Sequence, residues 1–147
     1  MNTQPDFEEL LKLLEENNVS YMIVGGYAVA FHGYPRFTKD IDIFFQHTPD
    51  NIKKLKLALY TFGFDENELP DHIFTEEGNI IKFGIEPVRI DLLNKIDGVL
   101  FENIESKTER GRYGKVTVTF IGKEDLIANK KASGRTQDLA DLEKLEQ

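Results

Sequence analysis

Arg36, Thr38, Asp40 and Asp42 recur at every second position along Arg36-Phe37-Thr38-Lys39-Asp40-Ile41-Asp42-Ile43. In an extended chain alternate side chains share a face. A cation, a hydroxyl and two carboxylates therefore project together, while Phe37, Ile41 and Ile43 point the other way. Oxygen ligands of this kind suit a hard divalent cation such as Mg2+, which takes one or two carboxylates and completes its shell with substrate phosphates. The chemistry in outline is metal-assisted handling of a phosphate. An acid-x-acid pair is a weak sign by itself in a chain with 26 acidic residues among 147. Glu66-Asn67-Glu68 supplies the contrast, since it lies in a polar loop with no strand around it. Aspartate is depleted from strands, so two in one apolar strand need a reason. That reason is either a site or the charge with which an exposed edge strand avoids aggregation.

A third acid, Asp91, sits in the apolar run Val88-Arg89-Ile90-Asp91-Leu92-Leu93. If that strand lies beside the first, Asp91 faces Asp40 and Asp42, and three clustered carboxylates repel one another unless a cation intervenes. Arg89, two residues earlier on the same face, offers a plain salt bridge as the alternative. Gly25-Gly26 stands between an apolar strand, Tyr21–Val24, and a short helix, Tyr27–Phe31. Glycines there let backbone N–H groups approach a phosphate closely, or they simply make a tight turn at positive φ. The chain has neither G-x-x-x-x-G-K-[ST] nor G-x-G-x-x-G, so a P-loop enzyme and a dinucleotide-binding Rossmann domain are both excluded.

The elements that must position these residues follow from periodicity. Phe7, Leu10, Leu11 and Leu14 predict a helix over 6–17, and Thr38–Phe45 reads as the strand that carries the first two acids. Thr48-Pro49-Asp50 is a helix start, with a hydroxyl cap, a proline at the first helical position and an acid in the first turn; that helix runs to about Phe62. Ile73-Phe74 suggests a short strand, Asn79–Ile85 and Val88–Leu93 two more, and Leu100–Lys107 weak helix. Gly111 and Gly114 bracket a turn before the strand Val116–Phe120, and helices over 123–132 and 136–145 close the chain. The expected fold is α/β (α+β), a mixed sheet flanked by helices, in a single domain over residues 1–147.

Composition narrows the function. With no cysteine, disulfides and thiolate metal sites are excluded. The polar N-terminus lacks a signal-peptide pattern, and no apolar run approaches a membrane span, so a cytoplasmic protein without a membrane partner is expected. The net charge of -8 argues against binding long duplex DNA. The charge is uneven, however: Lys107 to Arg135 holds eight basic and three acidic residues, a balance of +5 against -13 elsewhere. Such a run is either a solvated face or a site for a polyanion, whether a triphosphate or an RNA end reached by Arg110, Arg112 and Lys115. His32, beside Gly33, reads as a capping or core residue.

Taken in order, Gly25-Gly26, Arg36-x-Thr38-x-Asp40-Ile41-Asp42, Asp91, and the tail Glu124-Asp125-Leu126-Ile127-Ala128-x-Lys130 with Arg135-x-x-Asp138-x-x-Asp141 resemble the DNA polymerase beta-type nucleotidyltransferase superfamily. The likeness is nearest to its small prokaryotic branch of AbiEii-type toxins, minimal nucleotidyltransferases and lincosamide or aminoglycoside nucleotidyltransferases. It spans Tyr21 to Asp141.

The resemblance implies transfer of an NMP from an NTP, ATP foremost, to an acceptor hydroxyl on a protein, a tRNA end or a small molecule. Two Mg2+ (or Mn2+) ions would be held by Asp40, Asp42 and Asp91. The triphosphate would lie over Gly25 and Gly26, with Lys130 in contact and Arg36, Thr38 and Arg135 nearby. The family's usual Gly-Ser is Gly25-Gly26 here, which removes a hydroxyl from the phosphate side. A different class of function also accommodates these residues: a non-catalytic nucleotide-binding module with a partner protein, as in a toxin–antitoxin-type pair.

Overall fold

The computed structural model describes residues 3–35, 38–85 and 88–147, and no side-chain description extends to Ile85 or Val88. Helix α1 (Pro5–Glu16) starts on a proline, has Asp6 and Glu8 in its first turn, and buries Phe7, Leu10, Leu11 and Leu14, the four positions its periodicity marks. Strand β1 (Tyr21–Val24) leads directly into α2 (Gly25–Phe31), and β2 (Asp40–Phe45) follows. Thr48 caps α3 (Pro49–Phe62) as expected, its hydroxyl accepting from Asn51 N at 3.3 Å.

Beyond α4 (His72–Thr75), β3 (Ile80–Ile85) and β4 (Val88–Leu93) form a hairpin, and α5 (Phe101–Ile104) precedes a second hairpin of β5 (Glu109–Tyr113) and β6 (Val116–Phe120). Helices α6 (Lys123–Ser133) and α7 (Thr136–Leu145) close the chain. The six strands make one mixed sheet in the order β3-β4-β2-β1-β6-β5. The pairs β2–β4 and β1–β6 are parallel and the other three antiparallel.

Both faces of the sheet are covered. On β2, Phe45 meets Phe74 of α4 and Phe44 meets Phe101 of α5; successive residues of a strand face opposite ways, so α4 and α5 lie on opposite faces. The core is continuous from α1 through Met22, Ile23, Ile41 and Ile43 to Val118 and Phe120. No helix is long and apolar enough to cross a membrane among the described residues.

Two expectations are corrected. Ile73-Phe74 lies in α4, not in a strand: Phe74 N and Thr75 N both turn back to Asp71 O. Phe74 is fully buried, and a single anchoring side chain sets no strand alternation. Gly111 does not border a turn but lies inside β5, where a Cβ would fall 2.3 Å from the Phe31 ring. That strand, Glu-Arg-Gly-Arg-Tyr, is polar because it is a sheet edge; pairing with β6 makes it a strand, and the turn is Gly114-Lys115. The Glu86-Pro87 turn lies outside the described residues.

Candidate active site

Register brings the acids together. Parallel pairing of β2 with β4 sets Asp42 beside Asp91 and Asp40 beside Arg89. Residues opposite one another in a sheet share a face, so all three carboxylates stand on the side away from Ile41 and Ile43. Val24, the last residue of β1, is opposite Asp42. The chain therefore leaves the sheet directly over that carboxylate: a Cβ at Gly25 would lie 2.2 Å from Asp42 Oδ2, and Gly25 has φ +68°. Only glycine meets both conditions, the close approach and the left-handed backbone.

The acids are electrostatically unbalanced. Burial, followed by the charges of Asp91 and Asp40, pushes the Asp42 carboxyl up to about 7, with Lys130 opposing. Asp40 Oδ1 is buried and has no hydrogen-bond partner among the described residues. A buried charged oxygen without a donor is costly. Arg89 approaches Asp91 at 3.4 Å, so the expected salt bridge is present but long.

These features suit a hard divalent cation: an all-oxygen donor set, an orphaned oxygen and surplus negative charge. Among the described residues no group of three or more His, Cys, Asp or Glu side chains is placed to hold a metal ion by itself. The acids therefore offer part of a shell, to be completed by phosphate or water.

The two terminal helices add Lys130 and Arg135 to the cleft, each already paired with aspartate. Gly134 ends α6 in the left-handed conformation, φ +63°, and folds α7 back against it. Lys130 is only 4 % exposed; it donates to Asp138 Oδ1 at 3.0 Å and forms an ion pair with Asp141 Oδ2 at 3.0 Å. Arg135 is exposed, and its Nε donates to Asp138 Oδ2 at 2.8 Å. Burial alone would raise the Asp138 carboxyl, but hydrogen bonds from Arg135 and Lys130 hold it below the usual carboxylate range.

Gly25, Gly26, Asp40, Asp42, Lys130 and Arg135 thus line one open cleft of about 390 Å3. Thr38, whose hydroxyl donates to Asp40 O at 3.2 Å, lies on its rim. Hollows of about 410, 460 and 590 Å3 elsewhere contain, among the described residues, no buried side-chain polar atom left without a partner, so chemistry rather than size picks out the acidic cleft.

Arg36 lies outside the described residues. Lys39 and Gln137 also line the cleft; sequence reasoning missed them, although Lys39 immediately precedes Asp40. Three of the eight basic residues in the run are paired elsewhere: Lys107 with Asp125, Arg110 with Glu15 and Lys131 with Glu146. Arg110 and Arg112 stand on the β5 edge, separated from the acid-bearing β2 by β1 and β6. Only Lys130 and Arg135 of that run reach the cleft among its described lining. His32 caps the C-terminus of α2, as one of its two sequence readings has it, and its Nε2 lies 2.8 Å from Ile121 O.

Residues 3–147 match the family described as "Nucleotidyl transferase of unknown function (DUF2204)". The chain belongs to this nucleotidyl transferase family. Among solved structures it is similar to the lincosamide antibiotic adenylyltransferase LnuA in its lincomycin-bound crystal form, with a TM-score of 0.58 and 18 % sequence identity. That similarity covers 99 % of this chain and 98 % of LnuA. At this identity the likeness is one of fold, and the fold is nucleotidyltransferase-like. No curated protein sequence matches.

Proposed function

We propose that the protein transfers a nucleoside monophosphate from an NTP, ATP foremost, to an acceptor hydroxyl. The observation that carries this reading is Gly25 seated over Asp42, with the partnerless Asp40 oxygen beside it, in the same cleft as Lys130 and Arg135, while Asp91 stands beside Asp42 on the neighbouring strand. Membership of the nucleotidyl transferase family supports it. By this reading the chain is an enzyme of the small prokaryotic branch that includes the AbiEii-type proteins.

The residues divide the work. Gly25 and Gly26 let the triphosphate approach the backbone, since no side chain stands between it and Asp42. Lys130 and Arg135 neutralise the phosphates on the leaving side, and Thr38 offers a hydroxyl at the rim. Asp91 orients the acceptor hydroxyl and takes up its proton. The acceptor oxygen forms a bond to the α-phosphorus as the α–β phosphoanhydride bond breaks, and pyrophosphate departs in line. Asp40, Asp42 and Asp91 would hold Mg2+ or Mn2+, two ions in the full reading. When bound, these would neutralise phosphate charge and lower the pKa of the attacking hydroxyl.

Metal and nucleotide binding are coupled by charge. Asp138 and Asp141 already compensate the two cations, so a triphosphate would meet a net acidic cleft unless divalent cations came with it.

The similarity to LnuA favours a small-molecule acceptor over a protein or a tRNA end. Long duplex DNA is disfavoured by the net charge of -8. The test is calorimetry with ATP, with and without Mg2+, followed by a pyrophosphate-release assay in a lysate with each labelled NTP. Mg2+-dependent binding with transfer of label supports the reading. Nucleotide binding without pyrophosphate release in any lysate would leave a binding module that works with a partner protein, and no binding would remove both.

A further inference from the structure

Asp138 is connected to more than a helix start requires. Its carboxylate accepts from Arg135 N at 3.2 Å, which closes the first turn of α7. It also accepts from Arg135 Nε at 2.8 Å and from Lys130 Nζ at 3.0 Å. A helix cap needs only the first of these bonds. The other two tie together a buried lysine from α6 and an exposed arginine from α7, the two cations of the cleft's leaving-group side.

We propose that Asp138 is a positioning residue that sets Lys130 and Arg135 as a matched pair of donors for the β- and γ-phosphates. This inference rests on the nucleotide reading given above. Lys130 Nζ lies 3.0 Å from both Asp138 and Asp141, hydrogen-bonded to the first and ion-paired with the second, on the wall of the cleft. Asp138 occupies Arg135 through Nε and the backbone. The terminal guanidinium nitrogens, which make the forked contact preferred by phosphate oxygens, carry no hydrogen bond among the described residues.

Long basic side chains lose rotamer freedom on binding, and prior anchoring removes much of that loss. Asp141 contributes by holding Lys130 and is itself steadied by Gln137 Nε2 at 3.1 Å. Asp138 alone spans both cations among the described residues. Such a buried ionic cluster adds little to stability compared with well-packed apolar groups, so what it contributes is geometry.

The experiment is titration of the full chain with MgATP and, by competition, with MgAMP. Wild type is compared with Asp138→Asn, Asp138→Glu and Asp141→Asn, with thermal melts to verify folding. Asp138→Asn is expected to weaken MgATP about tenfold and leave MgAMP unchanged, because only ATP carries the phosphates the pair addresses. Asp138→Glu should recover most of the loss, and Asp141→Asn should cost about threefold. Equal MgATP affinity in Asp138→Asn, or equal loss for ATP and AMP, overturns the inference alone. If wild type binds no MgATP, the nucleotidyl-transfer reading itself fails. Should Asp138→Asn not fold, the ATP-to-AMP ratio in Asp138→Glu and Asp141→Asn decides: an unchanged ratio in both overturns the inference.

Discussion

Two polar clusters on the same sheet differ in one respect, completion. On the β5–β6 side, Glu15 of α1 accepts from the Tyr21 hydroxyl and, at 2.9 and 3.1 Å, from Arg110. Arg110 also reaches Thr119 at 2.7 Å, and Thr119 N donates to the Tyr21 oxygen. Burial and the neighbouring carboxylate push the Tyr21 hydroxyl up, so it stays a neutral donor. On the β2–β4 side, Asp42 lies opposite Asp91, whose charge adds to burial in raising its carboxyl, and Asp40 keeps a buried oxygen with no partner among the described residues. The first cluster is closed and has nothing to offer a ligand. The second carries a strain that a cation with phosphate would relieve. Unsatisfied polar groups in an otherwise well-packed fold are where function is to be sought.

The largest effect expected from this contrast is on chemistry. Asp42→Asn should lower nucleotidyl transfer at least about a thousandfold, roughly 4 kcal/mol of transition-state stabilisation. Pyrophosphate release measures it, and retention of a tenth of wild-type activity would remove Asp42 from the site.

The same residue should act in the opposite direction on stability. The carboxyl of Asp42 titrates near 7 in the folded protein and near 4 when unfolded. Between those values the folded state holds a proton that the unfolded chain has released, so stability falls as pH rises from about 4 to 7 and then levels off. The metal-free protein should lose on the order of 2–4 kcal/mol across that window, while Asp42→Asn should show a flatter profile and exceed wild type at pH 8. Urea melts at several pH values in EDTA test this. Parallel profiles for the two proteins would mean that the cluster is as well compensated as the Glu15 one.

Gly25→Ala should lower stability by about 1–3 kcal/mol, since it forces both a positive φ and a clash with Asp42. It should also weaken MgATP binding, which separates it from an ordinary turn glycine. The smallest change is expected at the closed cluster. Glu15→Gln should cost about 1 kcal/mol, because Arg110 is half exposed and its ion pair is screened. Transfer activity should be unaffected; a large loss there would break the comparison outright.

Local patterns in the amino-acid sequence determined much of this protein. The apolar spacing of α1, the Thr48-Pro49 start of α3, the apolar run of β1 and the alternation of β2 and β4 each reflect a strong side-chain preference within a few residues, and each element is where that preference puts it. Embedding acids in apolar strands made Asp40, Asp42 and Asp91 legible as candidates, because burying a carboxylate needs a reason wherever the strand ends up. Local signals failed where an element is defined by its partner. β5 is a strand because β6 lies beside it, and α4 is a helix because Phe74 must reach Phe45.

Tertiary structure alone decided which residues meet. The parallel register that sets Asp91 beside Asp42 joins strands separated in the chain by α3, α4 and β3, and the fold of α7 onto α6 makes Lys130 a buried cation held by two aspartates. Sequence spacing carries the face a side chain occupies; it does not carry which other face it will find, since that depends on the long-range packing of the whole sheet.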